Sequence, residues 1–400
     1  MSALPPPLAL EEAQARLLAL APRIAAETVP AETALGRVLA EDLLAARTQP
    51  PADLSAMDGY ALGEGEGPWR LVGESRAGAP YREVLGEGEA ARISTGAMVP
   101  PGAGRILMQE DAVDTDGIIA ATEVPPPGRH IRPRGLDFHA GDRLLARGTR
   151  LTPAAIALAL AGGHASLPVA RTLRVAVLDS GDELSADPAA CLPHQIPASN
   201  GAMIAAMLGE WGCEVKRIGP VPDDRAALAA ALAQAESADI LVTSGGASVG
   251  DHDLIKPALA EWGAETDFWR VAIKPGKPLL VATRRHAEGH QVILGLPGNP
   301  VSSFVTAFLF ALPLVRAAAG ERAALPRPVT LVAGEDLPAV GPRREFLRAV
   351  REGDAVRLAG SQDSSALSAL AAADALIDRP AHAPTLTAGT PVTVYLLRNG

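Results

Sequence analysis

Residues 173–181 read "LRVAVLDSG": Val175, Ala176, Val177 and Leu178 follow one another without a polar break, then stop at Asp179-Ser180-Gly181. A short apolar run bounded by turn residues fits a strand buried on both faces, although periodicity alone does not separate it from a buried helix segment. The neighbours decide. "NGAMIAAMLGEWG" (200–212) has helical length and ends in glycine, "CEVKRIGPV" (213–221) is strand-like, "RAALAAALAQAES" (225–237) is helical, and "ADILVTSGG" (238–246) is again a strand. Strands alternating with helices through short loops predict a doubly wound, mostly parallel α/β sheet. "QVILGLPGNP" (291–300) and the apolar helix after it add a further unit.

Outward from this core the texture changes. Residues 9–45 read as helix, with apolar positions three and four apart, up to the Pro50-Pro51 break. From 52 to 146 glycines, prolines and short alternating segments such as "ARISTGAMV" (91–99) and "RILMQEDAV" (105–113) predict a β-rich module. "GDRLLARGTRLTPAAIALALAGG" (141–163) restores helical spacing, with Pro153 near a helix start and Gly162-Gly163 at its end. After 325, "RPVTLVAGED", "REFLRAV" and "TPVTVYLLR" predict a small β-module. The expected division is therefore a discontinuous helical unit (1–45 and 147–172), a β-rich insert (46–146), an α/β domain (173–325) and a C-terminal β-domain (326–400). No solenoid or propeller period occurs.

Bulk properties narrow the function. With 400 residues, 48% hydrophobic and 20% charged, the chain buries several cores and is far from the disordered class. A net charge of −10 and the absence of a basic run argue against nucleic-acid and membrane-surface partners, so an anionic ligand needs a local patch. Cys191 and Cys213 match neither a disulfide framework nor a zinc spacing, which suits a reduced pair in the cytoplasm. The N-terminus has no positive n-region of a secretory signal. "VSSFVTAFLFALPLV" (301–315) falls short of the ~20 residues that span a bilayer and is expected to be a buried helix.

Ligands of open α/β sheets bind outside the carboxyl ends of the strands. Three such ends stand out: Asp179 to Glu183; Ser244, Gly245, Gly246, Ser248, Asp251 and Asp253; and Gly298, Asn299 and Ser302. Glycines there let backbone N–H groups approach a phosphate, and a helix start adds a dipole favourable to an anion. Loops between strands and helices carry Gly, Ser and Asp for turn reasons as well. Neither a dinucleotide fingerprint nor a P-loop occurs at these ends. Asp182, Glu183 and Asp253 are candidate ligands for Mg²⁺, which takes one or two protein oxygens beside substrate phosphates. In "FWRVAIKPGKPLL" (268–280), Arg270, Lys274 and Lys277 form either the local anion patch or a solvated face. In "PPADLSAMDGYAL" (50–62), Asp58 is either the polar residue of a tight turn or a working carboxylate.

Taken in order, "PPADLSAMDGYAL", "ISTGAMVPPGAGRILMQED", "RPRGLDFHAGDRLLARGTRLT", "DSGDEL", "TSGGASVGDHD", "VAIKPGKP" and "LPGNPVSS" resemble the molybdopterin molybdenumtransferases, the MoeA proteins. The resemblance runs from about residue 8 to the C-terminus, where "GSQDSSALSALAAADALIDRP" also matches. It implies an elongated helical domain interrupted by a β-rich insert, a pterin-binding α/β domain and a C-terminal β-barrel. It further implies a homodimer with its active site between the α/β domain of one subunit and the insert of the other. The implied reaction joins molybdate to adenylylated molybdopterin with Mg²⁺ and releases AMP. Other cofactor-biosynthesis proteins and apo-molybdoenzymes are implied as partners.

Carried onto this sequence, Asp58 faces the partner's pterin site, and Asp58, Asp137, Glu183, Asp253 and Lys274 form the catalytic set. Thr95, Gly96, Asn200, Asp223, Ser248, Pro297 and Asn299 line the pterin and nucleotide site with the strand-end glycines and serines. Arg270, Lys277 and Arg348 complete the substrate contacts. Leu136, Asp179, Ser180, Ala198, Gly104 and Arg270 depart from the usual pattern. Two rivals are weaker. A molybdopterin adenylyltransferase typically carries Gly-Gly-Thr-Gly where this chain has "GGASVG", and lacks the first ~170 residues. A non-catalytic scaffold would not need the carboxylates.

Overall fold

The computed structural model describes residues 6–245, 254–286 and 289–397. At its centre six strands lie in the order Glu214–Val221, Arg174–Ser180, Ile240–Ser244, Gly289–Leu296, Leu280–His286, Ala264–Trp269. The first four run parallel; Leu280–His286 pairs antiparallel with both of its neighbours and alone runs in the opposite sense. Residues 175–178 show why the run has no polar break: Val175 and Val177 enter the core on one face, Ala176 and Leu178 the core on the other. Helix Ser199–Gly209 packs on the first face and helix Arg225–Ala233 on the second.

Asp239 anchors the start of Ile240–Ser244, accepting from Arg171 Nη1 (2.8 Å) and Nη2 (2.6 Å) and from the Arg174 N–H (2.8 Å). Burial pushes the Asp239 carboxyl up, but the hydrogen bonds from Arg171 and the Arg174 amide outweigh it, and the net shift is downward. A carboxyl depressed on folding stabilises the protein above its unfolded pKa, and that contribution is lost as pH falls through the lower folded value. Asp239→Asn should therefore lower stability at pH 7 by about 2 kcal/mol and narrow the gap from wild type below about pH 4. Urea unfolding across pH measures this; a gap that stays constant into acid would contradict it.

The apolar segment after this sheet is a buried helix, Pro300–Ala318, 89% buried despite a length and composition that would pass for a membrane span. Residues 307–311 widen into a π turn just before Pro313. Pro313 has no N–H for the carbonyl of Leu309, four residues earlier. That carbonyl instead accepts from Gln14 Nε2 at 2.9 Å, which accounts for a nearly buried glutamine at the far end of the sequence.

Gln14 belongs to helix Leu10–Ala19, and here the expectation of helix over 9–45 is corrected. Pro22 ends the helical run, and Thr28-Val29 lie in strand Ala26–Pro30, whose antiparallel partner is Ser166–Ala170. Leu10, Ala13 and Leu17 pack into the α/β core. Helix Pro153–Ala161 starts as expected: Thr152 Oγ1 accepts from the Ala155 N–H at 3.2 Å, with Pro153 at the first position. The insert contains a six-stranded sheet in which Gly59–Leu62 is paired on both sides, with Glu89–Ile93 and Arg105–Met108. In the C-terminal part, Arg344–Glu352 pairs with both Ala355–Leu358 and Ala375–Arg379, and with Val329–Ala333 and Pro391–Leu396 they close a barrel.

Candidate active site

Two cavities meet where the α/β sheet faces the barrel. The first, about 410 Å³, lies at the carboxyl ends of Arg174–Ser180, Ile240–Ser244 and Gly289–Leu296. Strand order reverses at Arg174–Ser180, so this is the crevice where open α/β sheets bind ligands. It gathers Glu183, Asn200, Ser244, Gly245, Gly298 and Asn299. Asn200 Nδ2 donates to the Gly298 carbonyl at 2.6 Å and so ties the start of helix Ser199–Gly209 to one of the predicted strand ends.

Asp179, Ser180 and Ala198, three of the departures from the family pattern, all line this cavity. Asp179 is 2% exposed; burial pushes its carboxyl up, opposed by Arg217, whose Nη2 lies 3.6 Å from Oδ2. Helix Ser199–Gly209 approaches so closely that a Cβ on Gly201 would lie 2.0 Å from Asp179 Oδ2. Ser180 Oγ donates to Asp223 at 3.1 Å, and the Asp223 N–H donates to Asp182 Oδ1 at 3.0 Å. Asp182 and Asp223 thus brace the loop behind the cavity without lining it. Glu183 is exposed at the rim.

The second cavity, about 330 Å³, contains Lys274, Lys277, Ser302 and Arg343 with Glu345, and is closed by Gln362, Asp363 and Ser364 from the barrel. Lys274 lies on Ile273–Lys274, which pairs in parallel with the start of Arg344–Glu352; its Nζ lies 3.0 Å from Glu345 Oε1. Lys274 and Lys277, both exposed, stand with Arg343 along this pocket. The cavities are joined by Asn299 Nδ2, which donates to Ser364 Oγ at 2.9 Å, and by the Val301 N–H, which donates to the Ser364 carbonyl at 3.0 Å. Ser365 and Leu367 complete the first cavity from the same loop.

Some predicted residues are placed otherwise. Arg348 is fully buried and lines neither cavity. Its Nη2 donates to the carbonyls of Ser361 (2.6 Å) and Asp363 (3.0 Å), and its backbone exchanges hydrogen bonds with the Gln362 side chain. It shapes the 361–365 loop, and burial pushes its guanidinium pKa down. Arg270, at φ +101°, and buried Pro297 also line neither cavity. Gly246, Ser248, Asp251 and Asp253 lie outside the described residues.

Asp58, Thr95, Gly96 and Asp137 line neither cavity in the same chain. On the insert, exposed Asp58 accepts through Oδ1 from the Thr95 N–H at 2.7 Å, and the N–H of exposed Asp137 donates to the Gln49 carbonyl at 3.1 Å. Asp58 is thus a turn-bracing residue at least. Sequence reasoning assigned no role to Arg343, Glu345, Gln362, Ser364 or Ser365, although the small polar run "SQDSS" (361–365) after a strand was a readable loop signal.

Residues 8–163 match the MoeA N-terminal region (domain I and II), 176–317 the probable molybdopterin binding domain, and 330–397 the MoeA C-terminal region (domain IV). The molybdopterin molybdenumtransferase of Synechococcus elongatus is 37% identical over 390 residues, 94% of this chain and 95% of its own. The chain belongs to the molybdopterin molybdenumtransferase family. The Haemophilus influenzae molybdopterin molybdenumtransferase is likewise 37% identical, covering 79% of this chain and 78% of its own. A crystal structure of a molybdopterin biosynthesis MoeA protein from Pyrococcus horikoshii superposes with a TM-score of 0.80 at 30% identity, over 98% of this chain and 99% of that one. The expected α/β domain, β-rich regions and C-terminal barrel are those of this family.

Proposed function

We propose that this member of the family is a transferase that inserts molybdenum into molybdopterin for cofactor biosynthesis. The observation that carries the reading is the pair of adjacent cavities: a larger one with hydroxyls and backbone groups at a sheet switch point, and a smaller cationic one beside it. The first suits the pterin phosphate and nucleotide of an adenylylated molybdopterin, held by Asn200, Ser244, Gly245 and Asn299. The second suits molybdate, a dianion that Lys274, Lys277 and Ser302 would hold beside the dithiolene.

Among the described residues, no group of three or more His, Cys, Asp or Glu side chains could hold a metal. That donor set excludes a caged ion from the described residues but fits Mg²⁺, which retains water and takes one or two carboxylates plus substrate phosphates. Glu183 at the rim would hold it, with Asp182 behind; bound there it would neutralise pyrophosphate charge. Asn200 would orient the phosphate, and Lys274 would hold the oxyanion next to it.

The insert's carboxylates then belong to a second copy. Met57, Met98 and Leu136, beside Asp58, Gly96 and Asp137, are exposed large apolar side chains, as expected of a face that another subunit covers. In a homodimer, Asp58 and Asp137 would position water or the oxyanion at the partner's cavities.

AMP release from adenylylated molybdopterin should require both molybdate and Mg²⁺ and should yield active cofactor. A pterin adenylate that binds and stays intact under every condition would point to a carrier instead. Asp58→Ala and Lys274→Ala proteins, each impaired alone, should recover AMP release when unfolded and refolded together, because a mixed dimer keeps one intact site. A mixture no more active than its components would rule out an inter-subunit role for Asp58.

A further inference from the structure

The second cavity carries its own competitor for an anion. Lys274, half-exposed, already has a partner, Glu345 Oε1 at 3.0 Å, and the Glu345 side chain is only 12% exposed. The cavity's other carboxylate, Asp363, is turned to Ser365, accepting from its N–H at 2.8 Å and its Oγ at 2.6 Å. Glu345 is therefore the carboxylate that neutralises the cationic wall.

Behind it stands a second cation. Glu345 is the register partner of Lys274 on one side and of Arg379 on the other, and register partners present their side chains on the same face of a sheet. Arg379 is 2% exposed. Its Nη2 donates to the Pro384 carbonyl, while its Nη1 is buried with no hydrogen-bond partner among the described residues. Burial pushes the guanidinium pKa down and the Glu345 carboxylate raises it, which places the two within electrostatic reach. A buried guanidinium nitrogen left without an acceptor is costly, so Arg379 offers the Glu345 carboxylate a ready second position.

We propose that Glu345 is a movable counter-ion that sets oxyanion affinity in this cavity: it holds Lys274 while the cavity is free of anion and turns to Arg379 when an oxyanion takes the lysine. The inference rests on the cavity being the oxyanion site. Anion binding then breaks one ion pair and makes another, so Lys274 is never left unpaired and never binds the anion at full strength. Weakened holding suits a site that must release its oxyanion to the pterin. Glu345 is a positioning residue in this scheme, since it acts through Lys274.

Calorimetric titration of molybdate into wild type, Glu345→Gln and Glu345→Asp proteins tests it. Glu345→Gln removes the competitor and should tighten molybdate binding on the order of threefold to tenfold. It should also lower the KM for molybdate without raising kcat, whereas Glu345→Asp stays near wild type. A merely structural role for Glu345 predicts weaker binding in Glu345→Gln, and equal or weaker binding overturns the proposal. Arg379→Gln, confirmed folded by its melting curve, should weaken binding in the wild-type background and leave it unchanged beside Glu345→Gln; additive losses count against the switch. A wild-type chain that takes up no molybdate overturns both the cavity reading and the counter-ion. Binding by wild type without tightening in Glu345→Gln overturns the counter-ion alone.

Discussion

Gly59→Ala should destabilise the protein by on the order of 4 kcal/mol, because a Cβ there makes the closest approach of any described glycine. Gly59 has φ +155° and opens the strand Gly59–Leu62, hydrogen-bonded to a neighbour on each side. A Cβ there would lie 1.9 Å from the Leu107 carbonyl oxygen and 2.9 Å from the Gln109 nitrogen, both backbone atoms of the paired strand and its extension. Side chains can rotate away from such a clash; a paired strand cannot without breaking its ladder. The Gln109 N–H also donates to the Asp58 carbonyl at 3.1 Å, so the displacement would move the carboxylate beside it. Thermal and urea unfolding measure the loss. Gly104→Asp is the control: nothing lies within 4 Å of a Cβ there, so the departure from the family pattern at that position has no steric cause and the substitution should be tolerated. A Gly59→Ala protein as stable as Gly104→Asp would refute the close-approach account.

Lys274→Ala should weaken molybdate binding about tenfold to a hundredfold while leaving the melting temperature nearly unchanged. The two halves of that expectation come from different parts of the residue. Its backbone, in the short strand Ile273–Lys274, pairs with Arg344–Glu352 whichever side chain is present. The side chain is half-exposed, and its ion pair with Glu345 contributes little to stability for that reason. If the cavity takes the oxyanion as proposed, the ammonium would be a charged donor to it, where a lost hydrogen bond matters most. Removing it also leaves Glu345 facing the incoming anion. Isothermal titration with molybdate and a melting curve separate the effects; unchanged affinity would remove Lys274 from the site.

Much of this architecture is written locally. The unbroken apolar run at 175–178 already required burial on both faces, and the Gly, Ser and Asp clusters after three strands already marked the edge where a cavity forms. Pro153 marked a helix start. The helical reading of 9–45 failed because spacing continued past Pro22 on paper, while the chain there turned into a strand paired with residues 166–170.

The sequence by itself determined the alternation of strands and helices in the α/β core, which of its faces are apolar and which strand ends carry polar groups, because these depend on residues within a few positions of one another. Only the tertiary structure decided that Gln14 answers the carbonyl freed by Pro313, that Arg348 is spent on the 361–365 loop, and that Lys274 meets Glu345. Those partners are between 13 and 295 residues apart. Their meeting is set by how the sheet, the N-terminal helix and the barrel pack, and periodicity carries no information about distance across a packed interface.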